Sequence, residues 1–158
     1  MIGGGDFVSF LDLKAVDQNL VVRSAQIHAL MPMMQFSVAS WRVLDATHLA
    51  AVKQAMAIRT EFTPLILELA RQSATTGAPI MSSVEYLFPN QGFEGVLDQF
   101  MLGESLLVAP MTLLGTTRQV VLPKGRWLAD DGTTLEGGKT HTVEVSLNRI
   151  PRFHLQKK

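Results

Sequence analysis

Residues 98–110 read Asp-Gln-Phe-Met-Leu-Gly-Glu-Ser-Leu-Leu-Val-Ala-Pro. Within them Ser105-Leu106-Leu107-Val108-Ala109 is a short apolar run ended by Pro110. A run of that length between turn residues predicts a buried strand. Three runs of similar texture surround it: Val84-Glu85-Tyr86-Leu87-Phe88, Gln119-Val120-Val121-Leu122 and Thr140-His141-Thr142-Val143-Glu144-Val145. Turn signals at Pro89-Asn90, Pro110, Pro123-Lys124-Gly125, Asp131-Gly132 and Gly137-Gly138 separate them, so the second half of the chain predicts an all-β unit.

Upstream the period changes. Between 45 and 76, Leu49, Val52, Met56, Phe62, Ile66, Leu69 and Ala70 recur at steps of three and four, with Asp45 or Thr47 as cap and Gly77 as stop. Pro64 is expected to kink or split this long helix. Between 17 and 30, the positions of Leu20, Val21, Ala25, Ile27, Ala29 and Leu30 predict another helix with Asp17 as N-cap. Residues 31–38 are short and apolar, and Pro32 bars a smooth continuation of that helix, so they predict a buried strand followed by a loop. Helices followed by strands place a seam near 78–90 and divide the chain into 1–77 and 78–158. The first part is too small to stand alone. No internal repeat or low-complexity tract is present.

A length of 158 residues suits one ordinary domain, or the end of one joined to a small second. Apolar residues at 47% against 18% charged supply a packed core and exclude disorder. Fourteen basic side chains balance fourteen acidic ones, and the only basic run is Lys157-Lys158, so no nucleic-acid partner is expected. The absence of cysteine excludes disulfides and thiolate metal sites and leaves the compartment open. No window reaches the ~18 apolar residues of a membrane span, so no membrane partner is expected. The start Met1-Ile2-Gly3-Gly4-Gly5-Asp6-Phe7 has neither a basic nor an apolar signal region, and any export signal would lie elsewhere.

The four histidines, at 28, 48, 141 and 154, include no i, i+4 pair that would put two ligands on one helix face, and His28 reads as a packed or surface residue. No Gly-x-Ser-x-Gly elbow occurs. Gly3-Gly4-Gly5 matches neither the phosphate-loop nor the dinucleotide spacing, which leaves a loop built for close approach or a simple turn. The acidic residues are scattered, and local sequence raises no pair of them to a catalytic couple. Trp41 fits either a sugar-stacking pocket wall or a core plug, since tryptophan offers a broad apolar face and one donor, and Trp127 reads as a core plug.

Taken in order, these stretches resemble the C-terminal third of glycoside hydrolase family 31, the α-glucosidase and α-xylosidase family. Residues 98–110 are similar, almost residue for residue, to its Gln-Phe-Met-x-Gly-Asp-x-Leu-Leu-Val-Ala-Pro signature. The glycines after Ile2 resemble the loop after the seventh barrel strand. Arg23 and Gln26 resemble the helix pattern Arg-Trp-x-Gln, with Ser24 replacing tryptophan, and residues 32–37 sit where the eighth strand would be. Arg59 and Pro64 match the next helix. Residues 120–127 with Gly137-Gly138 match the β-domain, and Arg149-Ile150-Pro151 its last strand.

The resemblance implies an α+β fragment: the last strands and helices of a (β/α)8 barrel in 1–77, followed by an antiparallel β-sandwich domain in 78–158. It implies a retaining α-glycosidase whose aspartate nucleophile and aspartate acid/base lie on the fourth and sixth strands, upstream of Met1. No catalytic residue is then numbered here, the chain alone is expected to be inactive, and no cofactor or metal is expected. The implied partners are an α-linked oligosaccharide or glycoside and the rest of the barrel. Where the family has Arg-x-His at the end of the eighth strand, this chain has Gln35-Phe36-Ser37, and where an aromatic is common in the seventh-strand loop it has Gly4. Candidate substrate-binding residues are therefore Gln35, Ser37, Trp41 and Gly4, with a glycone other than glucose expected. The Gln-Phe-Ser-then-Trp arrangement resembles a less typical branch with α-galactosidase-like members. The alternative is a non-catalytic β-sandwich module that binds carbohydrate or serves in packing.

Overall fold

The computed structural model describes residues 2–3 and 16–156. Helix α1 (Gln18–Ala29) starts where Asp17 accepts a hydrogen bond from the Leu20 amide at 3.1 Å. After a single turn, α2 (Ser40–Val43), comes the long helix α3 (Ala46–Thr76). Asp45 caps it by accepting from the His48 amide at 2.9 Å, and Gly77 ends it at φ 76°, the left-handed conformation that suits glycine. Pro64 does not split α3, contrary to one sequence expectation. A proline inside a helix costs about 3 kcal/mol, and burial of Phe62 and Ile66 on either side of it offsets that cost.

The strands are β1 (Met81–Ser82), β2 (Phe100–Leu102), β3 (Leu106–Val108), β4 (Thr117–Leu122), β5 (Arg126–Ala129), β6 (Thr134–Glu136), β7 (Lys139–Glu144) and β8 (Arg152–Gln156). The run from 84 to 88, read as a strand, is instead a helical turn, α4 (Val84–Leu87). Ser83 caps it by accepting from the Tyr86 amide at 3.3 Å, and the Glu85 carboxylate holds the following turn by accepting from the Asn90 and Phe93 amides at 2.8 and 3.2 Å. Local capping outweighs the β-propensity of valine and tyrosine here. The last strand begins at Arg152 rather than at 149–151: the Arg149 amide donates to the Ser146 carbonyl at 3.1 Å in a turn, and Pro151 has no amide to give a ladder. Residues 31–38 do not form the expected strand; Phe36 makes one isolated parallel bridge, to Ile2.

Six strands form an antiparallel sheet in the order β1-β2-β3-β8-β5-β6, and β4 pairs with β7 in a separate ribbon. The register places Met101, Leu107, Phe153 and Ala129 side by side in one cross-strand row. That row packs against Val120, Leu122 and Val143 of the ribbon, with Trp127 fully buried among them. Their neighbours Phe100, Leu102, Leu106 and Val108 face the other way, onto Ala29, Leu30, Ala55, Ile58, Phe62 and Ile66 of the helical part. With both faces covered, the central strands become continuously apolar instead of alternating. A third cluster joins Ile2, Val21, Val22 and Ala25 to Val43, Leu44, Ala51 and Val52. Polar contacts add to the docking of α1: Arg23 donates to the carbonyl of Ser146 at 3.2 Å, and Gln26 to that of Leu147 at 2.6 Å.

Candidate functional site

The segment leaving α1 meets the start of the chain at the Ile2–Phe36 bridge. The Ile2 amide donates to the Gln35 carbonyl at 2.7 Å, and the Ser37 amide donates back to the Ile2 carbonyl at 2.9 Å. Parallel neighbours joined through a helix form the pairing of a βαβ unit. Alternation along this extended stretch turns Gln35 and Ser37 outward, where both are exposed, while Phe36 packs on the third core cluster.

The Ser37 hydroxyl also donates to the Ile2 carbonyl, at 3.1 Å. Its one hydrogen is thereby used, and what it offers a ligand is lone pairs. A sugar hydroxyl would donate to Ser37 rather than accept from it. Ser37 opens onto an apolar groove of about 430 Å³ walled by Trp41, Phe36, Val38, Leu49 and Met56, with Lys53 at its edge. Trp41 is 74% exposed and lines this groove. The structure thus brings Ser37 and Trp41 to one groove; Gln35 is exposed nearby but does not line it, and Gly4 lies outside the described residues. Sequence reasoning missed Leu49, Lys53 and Met56. Their spacing along α3 is that of a single helix face, which reads as core unless a neighbouring layer is known to stop short.

The groove lining, as described, contains no carboxylate. The ionic cluster of Asp130, Asp131 and Arg149 sits elsewhere, beside a cavity of about 330 Å³. Hydrogen bonds from Thr133, and then the Arg149 guanidinium, hold the Asp131 carboxyl below its usual range. Arg149 is pushed up, chiefly by its hydrogen bonds to Asp130. These groups satisfy one another, which is a structural role. The His28 ring Nδ1 donates to the Ser24 carbonyl of its own helix, 2.8 Å away. Among the described residues, no group of three or more His, Asp or Glu is placed to hold a metal, and no helix is long and apolar enough to cross a membrane.

Residues 77–156 match the Glycosyl hydrolase family 31 C-terminal domain. This chain belongs to glycoside hydrolase family 31. It is 37% identical over 119 residues to the myogenesis-regulating glycosidase of Mus musculus, covering 73% of this chain and 16% of that protein. It is 30% identical over 165 residues to the SITS-binding protein of Tetronarce californica, covering 99% and 23%. The fold superposes with TM-score 0.81 and 25% identity on the cycloalternan-degrading enzyme of Trueperella pyogenes in complex with a covalent intermediate, covering 90% of this chain and 22% of that one. The chain therefore spans between a sixth and a quarter of the length of these relatives.

In this family 31 chain the signature at 98–110 is a clamp and contributes nothing to the groove. Arg118 of β4 donates to the carbonyl of Asp98 at 3.0 Å and to that of Pro110, joining the two ends of the motif. It also pairs with the Asp98 carboxylate at 2.9 Å. Burial lowers the Arg118 pKa, an effect its carboxylate partner opposes. The Gln99 amide imitates a peptide group, donating to the Val121 carbonyl at 2.6 Å and accepting from its amide at 3.0 Å, and so ties the sheet to the ribbon. Gly103 turns the β2–β3 hairpin at φ 60°, and a Cβ there would meet Leu69 at 2.9 Å.

Proposed function

We propose that this chain is the C-terminal portion of a retaining α-glycoside hydrolase, with its nucleophile and acid/base on a segment upstream. Residues 1–77 then complete a (β/α)8 barrel and residues 78–158 form the C-terminal β-sandwich domain. The observation that carries this reading is the parallel Ile2–Phe36 bridge spanning α1. It is the pairing expected between the last two strands of such a barrel, whose sites gather at the C-terminal ends of its strands. Gln35 and Ser37 lie at such an end, bonded to Ile2 and close in sequence to Trp41. Family membership supports the retaining mechanism, as does the covalent intermediate held by the cycloalternan-degrading enzyme. In that mechanism one carboxylate attacks the anomeric carbon, while the other protonates the leaving oxygen and then activates water.

At the sugar, Gln35 and Ser37 replace the Arg-x-His of the familiar glucosidase pattern. Serine is shorter than histidine, and its hydrogen is spent on Ile2. The hydroxyl it serves must donate and must lie closer, or be bridged by water. The glycone proposed is an α-galactoside or another sugar that differs from glucose at that hydroxyl. The test is kcat/KM of the full-length protein for matched aryl α-galactosides and α-glucosides, repeated with Ser37→His and Gln35→Ala. A preference for the galactoside that each substitution weakens by about tenfold, the equivalent of one buried hydrogen bond, is expected. A preference for glucosides that neither substitution moves would refute the pocket. Hydrolysis by the 158-residue chain alone, retained when its acids are changed to amides, would refute the upstream placement of the carboxylates.

A further inference from the structure

We propose that Arg59 is a positioning residue for the sugar-facing segment 35–37; this rests on the reading of Gln35 and Ser37 given above. Arg59 projects from the middle of α3, and its guanidinium collects four backbone carbonyls at the end of α1. Nη1 donates to Met31 at 2.8 Å and Ala29 at 3.1 Å, with His28 at 3.3 Å, and Nη2 donates to Pro32 at 3.1 Å. The last carbonyls of a helix have no partner within it, and a left-handed glycine is the common solution, as at Gly77. Helix α1 has no such cap: Leu30 sits at φ −108°. A side chain from another helix closes it instead.

Two of the four carbonyls, of His28 and Ala29, precede the turn at 30–32 and two, of Met31 and Pro32, lie within it, so the guanidinium fixes the direction in which the chain leaves α1. Arg59 is itself held by its neighbours Ile58 and Phe62, which are buried against the sheet. At the far end, Ile2 pins Gln35 and Ser37 through three hydrogen bonds. Only Met33 and Met34 separate the two attachments. Arg59 does not line the groove, so it acts through the backbone and not by touching a ligand. Lysine can substitute only in part, because a compact ammonium lacks the planar fork that reaches several carbonyls at once.

The test compares Arg59→Gln and Arg59→Lys with Ser37→Ala and Gln35→Ala in the full-length protein. It reads kcat and KM for the matched α-galactoside and α-glucoside, together with hydrogen exchange at the Ser37 amide and at the amides of β3. Misplacement of a reacting partner by about 1 Å costs on the order of a hundredfold in rate. Arg59→Gln is expected to lower kcat/KM by about 10- to 100-fold, to shift the substrate ratio in the same direction as Ser37→Ala, and to speed exchange at Ser37 but not in β3. Arg59→Lys should recover only part of this. If Ser37→Ala moves the ratio while both Arg59 variants leave the ratio and the Ser37 exchange unchanged, the positioning role is overturned and the pocket stands. If Ser37→Ala and Gln35→Ala leave the ratio unmoved, the pocket reading falls and the positioning role falls with it. Should Arg59→Gln fail to fold, Arg59→Lys decides the matter on the same criteria.

Discussion

Trp127 and Trp41 occupy opposite situations in the two parts of this chain. Trp127, in the strand-rich part, is fully buried between the sheet and the β4–β7 ribbon, and its Nε1 donates to the Pro123 carbonyl at 2.8 Å. Trp41, in the helical part, is 74% exposed at the rim of an apolar groove. The strand-rich part covers both faces of its central strands, while the helical part buries only the faces turned toward the sheet and toward Ile2. Met56, on the same helix as the buried Ala55 and Ile58, is 38% exposed. The difference indicates where stability resides and where a further layer or a ligand would add contacts.

The tryptophans give the sharpest way to break this comparison. Trp127→Ala removes a buried ring together with its hydrogen bond and should destabilise the chain by about 3–5 kcal/mol, read by urea unfolding. Trp41→Ala should stay within about 0.5 kcal/mol. It should instead raise KM for the preferred glycoside in the full-length protein. Equal losses of stability from both substitutions would erase the distinction between the two parts.

A smaller effect tests whether the signature clamp is confined to the strand-rich part. Arg118→Met leaves the carbonyls of Asp98 and Pro110 without their shared donor and should cost about 2–3 kcal/mol. The Asp98 carboxylate is half exposed and can rehydrate, which limits the loss. The matched substrate ratio should not change. A shifted ratio would connect the clamp to the groove.

The smallest effect concerns the junction. His154 of β8 stacks on Phe62 of α3 with ring centroids 6.1 Å apart, beside Arg152. Burial, then the Arg152 charge, lower its pKa from 6.5, while Glu61 opposes the shift. A histidine depressed in the folded state binds its proton more readily when unfolded, so stability rises with pH through this range. The contribution is complete above the unfolded value of about 6.5 and is lost as pH falls from there through the folded pKa. Unfolding midpoints between about pH 5 and 8 should show this slope in the native chain and a shallower one in His154→Gln. The same slope in both would mean that the junction does not sense pH.

The caps were legible in the sequence because their physics is local. Asp17, Asp45 and Gly77 act on amides and carbonyls within a few residues, and the structure finds each where the pattern placed it. The buried role of Trp127 and the apolar strand at Leu106, Leu107 and Val108 were legible for a related reason: a short apolar run between turns has few ways to avoid water. The family itself was legible in residues 98–110, although what those residues do was not. Arg118 lies 20 residues from Asp98, and Gln99 lies 22 from Val121, so nothing in the local pattern announces either contact. Tertiary structure alone decided that Pro64 stays inside a helix held by its buried neighbours and that Ser37 has already given its hydrogen to Ile2. It also decided that Arg59 reaches back 27 residues to close α1. Sequence determines what each residue can donate, accept or bury; which partner it meets depends on how separate elements pack, and that choice is made only when the chain is folded.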